Sequence, residues 1–185
     1  MVNSLQKLVL GIVGSPRRGG NTEILVDEVL AGAEEAGASI EKIILNEMNI
    51  GPCQACNTCY KTGQCKQDDD MTGLLEKMEQ AETWVLGTPI YWWGPTGQFK
   101  IFLDRWYSPK HRAFKGKRVI LVIPLGGGHE NYARHTVGIL TDVLNYLGME
   151  LIETIIATGV QRYATVRRKS KLLQKAHNAG KSAMV

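Results

Sequence analysis

Four cysteines lie within one short segment of the sequence. Cys53, Cys56, Cys59 and Cys65 follow the pattern C-x2-C-x2-C-x5-C and are all the cysteines of the chain. Four thiolates this close in sequence can converge on one centre, as metal or cluster ligation requires. Zinc usually takes two C-x2-C pairs separated by a longer span, so the packed spacing favours an iron–sulfur cluster over zinc. Zinc and unmetallated thiols stay open as alternatives, and a C-x-x-C dithiol leaves two cysteines without a role.

A second group of chemistry-bearing residues follows the first apolar segment. The turn Gly14–Thr22 reads GSPRRGGNT and leads directly into a helical pattern, so backbone N–H groups and the helix dipole can face an anion. The turn also offers hydroxyl, amide and guanidinium donors, and its glycines allow close approach. Neither the P-loop spacing nor the G-x-G-x-x-G dinucleotide spacing is present. The turn predicts a phosphate site, with a plain helix N-cap at Asn21 or Thr22 as the alternative.

Two more loops carry side chains or backbone suited to a planar ligand. The segment 88–95, TPIYWWGP, holds three consecutive aromatic residues, whose faces suit stacking on a ring system. Core or subunit-interface aromatics are the alternative. The segment 125–129, LGGGH, exposes backbone amides on three glycines, which are good partners for the polar edge of such a ring system.

Strand and helix patterns alternate along the chain and position these loops. Short runs rich in Val and Ile predict buried parallel strands at Leu8–Gly14, Ile40–Leu45, Trp84–Thr88, Val119–Pro124 and Leu151–Ala157. Amphipathic stretches predict helices at Thr22–Ala36, Thr72–Ala81, Thr96–Trp106, Tyr132–Leu147 and Val166–Lys181.

This alternation predicts an α/β fold with a doubly wound five-stranded parallel sheet, order 2-1-3-4-5, and helices on both faces. The loops after strands one, three and four then cluster at one rim. No linker or repeat interrupts the pattern, so we expect one domain over residues 1–185. Within it, the irregular segment 46–70 holds every cysteine, and such a long irregular stretch is usually functional. We expect Asp68–Asp70 to form a solvated turn and N-cap before Met71.

The motifs SPRRGGNT, TPIYWWGPTG and KIFLDRW together resemble the NADPH-dependent FMN reductase family of the flavodoxin-like superfamily. The resemblance extends over nearly the whole chain and implies a flavodoxin-like fold that binds FMN. It implies that the FMN phosphate is held by Ser15, Arg17, Gly20, Asn21 and Thr22. It implies that the ribityl chain and isoalloxazine are bordered by Pro89, Ile90, Tyr91, Trp92, Trp93 and Gly94, and on the other side by Gly126, Gly127 and Gly128.

The compact cysteine motif, placed between the second strand and the next helix, resembles that of the iron–sulfur flavoprotein subgroup. The resemblance implies a [4Fe–4S] cluster that is held by the four cysteines and exchanges electrons with FMN. It also suggests a homodimer or homotetramer, in which the cysteine loop of one subunit lies near the flavin of another. Trp92, Trp93 and Trp106 are the candidate interface residues.

Composition excludes several other classes of function. Hydrophobic residues make up 44% of the chain and charged residues 22%, which is ordinary globular composition. The net charge of +4 suits anionic small ligands but is too mild to predict nucleic-acid binding. No apolar run is long enough to cross a membrane, and no secretion signal is evident, so we expect a cytoplasmic protein.

The sequence therefore predicts an oxidoreductase that passes electrons between FMN and a cluster, with small-molecule or protein redox partners and NAD(P)H as a possible donor. One alternative is a cluster-free NAD(P)H-dependent FMN, quinone or azo reductase. The other is a passive electron carrier. A carrier usually presents an acidic docking surface, which the net charge of +4 disfavours.

Overall fold

The chain folds around a parallel β-sheet of five strands. The computed structural model describes residues 7–183. The strands are β1 (Leu8–Val13), β2 (Ser39–Ile44), β3 (Thr83–Gly87), β4 (Arg118–Pro124) and β5 (Glu150–Ala157). The three inner strands are almost wholly buried, as their unbroken runs of aliphatic residues require.

The strands lie in the order β2-β1-β3-β4-β5, and every neighbouring pair is parallel. The predicted order and the flavodoxin-like arrangement are thus confirmed. One register shift occurs between β4 and β5, at Val119/Ile120. Because all strands point the same way, their carboxyl ends share one edge of the sheet, and that edge carries the loops of interest.

Six α-helices connect or flank the strands in the described part of the chain. They are α1 (Asn21–Glu35), α2 (Thr58–Thr62), α3 (Met71–Gln80), α4 (Gly97–Asp104), α5 (Arg134–Tyr146) and α6 (Ser170–Ser182). Helices α1 and α6 share one apolar cluster with one face of the sheet, whereas α3, α4 and α5 share a second cluster with the other face. The prediction of helices on both faces is confirmed.

Most predicted elements differ from the observed ones by one or two residues at an end, and two differences are larger. Helix α6 begins at Ser170, not at Val166, because residues 165–168 form a 3-10 turn and Lys169 leaves the helical region at φ −107°. The segment 46–70 is largely irregular, as predicted, but contains the one-turn helix α2, which has no buried residue and therefore no amphipathic pattern to detect.

A cluster of aromatic rings fills the core beneath α4. The rings of Trp84 and Phe114 meet edge to face at 4.7 Å, and those of Phe102 and Trp106 at 5.2 Å. Trp106 is only 4% exposed, so its assignment to a subunit interface is wrong. Trp106 follows the end of α4, and its ring contacts with Trp84, Phe102 and Phe114 place it in the core.

Within residues 7–183, no helix is both long enough and apolar enough to span a membrane.

Candidate functional site

The turn between β1 and α1 leaves the first N–H groups of the helix without a side-chain cap. The N-cap residue is Gly20, which has extended backbone and no side chain to accept a hydrogen bond. The alternative of Asn21 or Thr22 as N-cap is therefore wrong. The unpaired first-turn N–H groups carry the positive end of the helix dipole. Ser15 and Thr22, both under 5% exposed, place their hydroxyl groups beside this helix end.

The side chain of Asn21 is committed to the loop that follows β5. Its amide nitrogen donates to the carbonyl oxygens of Val160 at 2.7 Å and Arg162 at 2.8 Å. Its oxygen accepts a hydrogen bond of 3.0 Å from the N–H of Val166. Both amide hydrogens are thus engaged within the protein, so the side chain of Asn21 joins the first turn to the loop after β5.

Two arginines of the turn face different ways. Arg17 lines the cavity at the helix end and reaches the carbonyl of Gln161 at 3.3 Å. Arg18 pairs with Glu23 at 3.2 Å and with Glu47 at 3.1 Å. Only Arg17 is therefore placed to meet a ligand in the cavity.

Glu23 is a buried carboxylate that braces the turn from inside α1. It accepts from the N–H of Gly19 at 2.7 Å and pairs with Lys42 at 3.0 Å. Burial works to raise the pKa of Glu23, but the hydrogen bonds from Gly19 and Lys42 and the nearby charges outweigh burial and lower that pKa. An ionised Glu23 thus fixes the shape of the turn.

A cavity of about 310 Å³ opens where these loops meet. Its walls come from the first turn, from the loop after β3, from the loop after β4 and from the loop after β5. Among the predicted residues it is lined by Ser15, Arg17, Gly20, Asn21, Thr22, Pro89, Ile90, Tyr91 and Gly126. The structure brings these nine together, and their assignment to FMN stays a prediction.

The loop after β5 was missed by sequence reasoning, although Val160, Gln161 and Tyr163 line the cavity. No residue type in that loop is distinctive. The signal that was available is topological: β5 ends at the same edge as β1, β3 and β4.

The aromatic turn after β3 has a strained backbone. Tyr91 and Gly94 exchange two backbone hydrogen bonds of 2.9 and 3.0 Å, which closes a two-residue turn around Trp92 and Trp93. Both tryptophans have positive φ, +49° and +63°, as a type I′ turn requires, where Asn and Gly are the usual residues. The carbonyl of Trp93 accepts from the Thr136 hydroxyl at 3.0 Å.

This turn borders a second, more open cavity of about 610 Å³. Trp92, Trp93, Gly127 and Tyr132 line it, and Trp92 is 92% exposed. The two cavities share four lining residues, namely Ile90, Leu125, Gly126 and Gln161. Gly94 and Gly128, which the sequence also assigned to the site, line neither of these two cavities.

The residues at the two ends of the cysteine loop are hydrogen-bonded to each other. Asn49 and Asp70 are joined by two hydrogen bonds, of 2.7 and 3.1 Å. One step further in, the N–H of Gly51 donates to the Asp69 carboxylate at 3.0 Å. The residues between are therefore held as a closed loop on the surface.

Asp69 and Arg105 form a buried ion pair under this loop. The Asp69 side chain is 7% exposed and that of Arg105 is 3% exposed. The guanidinium binds both carboxylate oxygens, at 2.5 and 3.0 Å. Burial works to raise the pKa of Asp69, but the hydrogen bonds from Arg105 and Gly51 outweigh it and hold that pKa below its ordinary value.

The expectation of a solvated acidic turn before Met71 is therefore wrong for Asp69. Asp70 is the N-cap residue of α3, yet its side chain makes no capping bond and accepts instead from the N–H of Asn49. Arg105 was also missed by sequence reasoning. An arginine at the end of an amphipathic helix is normally exposed, and its carboxylate partner lies 36 positions away.

All four cysteines line one cavity of about 170 Å³, together with Arg105 and Tyr107. Three thiols belong to half-buried residues, Cys56 belongs to an exposed one, and all four are free. The donor set fits a cluster in kind, since four soft thiol ligands surround one hollow. The thiol groups do not have the geometry of metal ligands in this structure. Within residues 7–183, no three His, Cys, Asp or Glu side chains lie close enough together to hold a metal ion.

Residues 8–161 of the chain match the model of the NADPH-dependent FMN reductase family. An iron-sulfur flavoprotein of Methanocaldococcus jannaschii is 42% identical over 97 residues, which cover 52% of this chain and 50% of that protein. One from Archaeoglobus fulgidus is 31% identical over 158 residues, covering 82% of this chain and 76% of the relative. The chain spans about half the length of the first two curated relatives that it matches.

Solved structures of similar shape share little sequence with the chain. The NAD(P)H:quinone oxidoreductase from Methanothermobacter marburgensis superposes with a TM-score of 0.76 at 16% identity, over 95% of this chain and 98% of that one. A flavone reductase gives a TM-score of 0.75 at 22% identity, covering 95% and 61% of the two chains. These likenesses support the fold alone. The match over residues 8–161 shows that the chain belongs to the NADPH-dependent FMN reductase family.

Proposed function

We propose that the chain is an FMN-dependent oxidoreductase whose cofactor lies in the cavity at the carboxyl ends of the strands. The observation that carries this proposal is the uncapped N-terminus of α1, which opens on that cavity beside Ser15, Thr22 and Arg17. FMN ends in a phosphate dianion. The helix dipole, a guanidinium and two hydroxyl donors together favour such a group.

The rest of the cavity suits the remainder of FMN. Pro89, Ile90 and Tyr91 form one wall and Gly126 the other, so a chain of ribityl length has apolar contacts and backbone donors along it. When bound, the flavin supplies the hydride and electron chemistry, and the protein supplies binding, orientation and access. The exposed tryptophan turn then borders the open end of the site.

The open second cavity supports a nicotinamide donor. It is continuous with the first through shared lining residues, and its aromatic wall suits stacking of a planar ring. A relative from Bacillus subtilis that is 31% identical over 123 residues is named a putative NAD(P)H-dependent FMN-containing oxidoreductase. We therefore propose NAD(P)H as the electron donor.

We further propose that Cys53, Cys56, Cys59 and Cys65 hold a [4Fe–4S] cluster that receives electrons from the flavin. Two observations support this: one cavity is lined by all four thiols, and several relatives are named iron-sulfur flavoproteins. The thiols have to move closer together to bind, which is normal for a site that a metal helps to form.

A cluster-free NAD(P)H-dependent reductase is the second candidate. One observation favours it: within residues 7–183, the four thiol groups lie too far apart to form a metal-ligand group. In that case the cysteines contribute no electron acceptor, and FMN passes electrons directly to a small molecule such as a quinone or an azo compound. A passive carrier is a third outcome, in which no NAD(P)H is oxidised.

One anaerobic preparation separates these functions. Protein reconstituted with iron, sulfide and FMN is analysed for iron, acid-labile sulfide and visible absorbance. We expect about four irons per chain and a broad band near ~400 nm. In Cys59→Ala the cluster's part of this absorbance should be lost and the spectrum of bound FMN should remain, because the flavin loops are separate from the cysteine loop. An iron content below about one atom per chain in the wild type would contradict the cluster assignment and favour the cluster-free reductase.

Steady-state oxidation of NADH and NADPH with an added quinone then distinguishes enzyme from carrier. An enzyme should turn over many equivalents of donor per flavin, whereas a carrier should stop after the flavin is reduced.

Size measurement of the same preparation by light scattering tests the expected homodimer or homotetramer. Trp92→Ser, which removes the most exposed tryptophan, should weaken association if that turn lies between subunits.

A further inference from the structure

The guanidinium of Arg105 contacts the sulfur of Cys65. Its Nη2 lies 3.4 Å from Cys65 Sγ, within hydrogen-bond range for sulfur. The same guanidinium binds both oxygens of Asp69 and donates to the carbonyl of Gly51 at 2.8 Å. One buried cation thus connects the start of the cysteine loop, the end of the loop and one of its thiols.

Burying a charged group is unfavourable unless it is paired and hydrogen-bonded. The bidentate carboxylate of Asp69 provides that pairing. A loop clamp alone needs only the contacts with Gly51 and Asp69. The additional donor directed at Cys65 is therefore the feature that points beyond a structural role.

The reduction potential of a cluster depends on hydrogen bonds donated to its sulfur ligands and on the net charge nearby. One-electron reduction adds one negative charge to a cluster and its thiolates. A guanidinium next to one of those sulfurs stabilises the added charge. A carboxylate behind the guanidinium partly offsets this effect.

We propose that Arg105 is a positioning residue for the cluster: it fixes Cys65 and raises the reduction potential of a cluster held by the four cysteines, with Asp69 as the opposing charge. This proposal rests on the cluster assignment made above. It makes Arg105 the physical link between α4, which follows the aromatic turn, and the cysteine loop.

The test is a pair of variants that change charge in opposite directions. Arg105→Gln leaves Asp69 uncompensated, so the cluster potential should become more negative. Asp69→Asn leaves Arg105 uncompensated, so the potential should become more positive. Lys100→Gln is the matched control, because it removes an exposed cation of the same helix that pairs with Asp104, and its potential should equal that of the wild type.

The readout is an anaerobic spectroelectrochemical titration of the full chain with both cofactors loaded, in which reduced mediator dyes supply the electron and are oxidised. The bound FMN gives an internal reference, since its potential should change little. Arg105→Lys keeps the charge and should lie closer to the wild type than Arg105→Gln. Iron content, measured on the same samples, reports whether the loop still forms.

Shifts of opposite sign in Arg105→Gln and Asp69→Asn would support the proposal. Equal potentials in all variants, or loss of iron from both without a shift in what remains, would overturn it and leave the pair as a clamp. If Arg105→Gln takes up no iron, Asp69→Asn decides alone, because its potential has to rise. A wild type that binds no iron is a different result: it contradicts the cluster itself.

Discussion

The hydroxyl of Tyr163 donates a hydrogen bond of 2.9 Å to the carbonyl of Arg18. The loop after β5 is thereby fastened to the turn that is expected to hold the FMN phosphate. A Cβ atom at Gly19 would lie 2.5 Å from the Tyr163 oxygen and would displace it, and the φ of +63° at Gly19 also disfavours a side chain there. Two loops far apart in sequence thus form one wall of the cavity.

Loss of this contact should weaken FMN binding. Tyr163→Phe removes one hydrogen bond, worth about 0.5–1.5 kcal/mol, so the Kd for FMN should rise roughly 2–10-fold. Quenching of flavin fluorescence measures it. Tyr146→Phe, at a tyrosine that is 85% exposed, is the control and should bind FMN as the wild type does. An unchanged Kd in Tyr163→Phe would mean that the loop after β5 does not help to form the site.

Asn21 should contribute to stability more than to phosphate contact. Asn21→Ala leaves three backbone groups without their partner, and we expect unfolding to become easier by about 1–3 kcal/mol. Urea denaturation of the flavin-free protein measures the change. The exposed Asn178→Ala should stay within about 0.5 kcal/mol of the wild type. Thr22→Ala should instead weaken FMN binding, and equal stability of Asn21→Ala and the wild type would argue against the joining role.

The tryptophan turn should lower the stability of the protein while contributing to its function. Trp92→Asn together with Trp93→Gly supplies the residues that a type I′ turn prefers, and relief of two strained positions should stabilise the protein by about 1–3 kcal/mol. The same change removes the aromatic wall of the open cavity, so kcat/KM for NAD(P)H oxidation should fall. Thermal unfolding and steady-state kinetics are the two measurements. A variant that is no more stable than the wild type would show that the turn is not strained.

The charge of Glu23 should make stability depend on pH in the acid range. Its pKa is lowered in the folded chain, so its stabilising effect is present above the ordinary glutamate pKa of about 4.3 and is lost as the pH falls through the lower folded value. Glu23→Gln should therefore be less stable than the wild type at pH 7, with a smaller difference at pH 3. Urea denaturation at both values measures this, and exposed Glu130→Gln is the control. A difference that does not change with pH would assign the effect to packing.

Much of the fold follows from local patterns. The strands β3 and β4 are continuous apolar runs buried on both faces, so their residue types reveal them directly. Gly14–Thr22 was identifiable because its residue types have a specific use at a helix N-terminus. Strand order follows once crossovers are right-handed and the loops that are expected to bind the cofactor have to meet.

The remaining features depend on contacts between distant parts of the chain. Asn21 has the composition of a phosphate ligand, yet its partners lie about 140 positions away in the loop after β5. Asp69 belongs to an acidic run that is typical of a solvated turn, and only the fold brings Arg105 to it. Trp106 has the same residue type as the exposed Trp92 and Trp93, but its packing against Trp84, Phe102 and Phe114 places it in the core. Such pairings are set by tertiary packing and have no local signal.

The proposed function depends on binding of the FMN phosphate by the first turn. Calorimetric titration of the flavin-free protein with FMN and with riboflavin, which lacks the phosphate, measures the contribution of that group. The phosphate should gain at least two charge-assisted hydrogen bonds of about 1.5–3 kcal/mol each, so FMN should bind at least ~100-fold more tightly than riboflavin. Equal affinity for the two ligands, or no binding of FMN, would show that the first turn does not bind the phosphate.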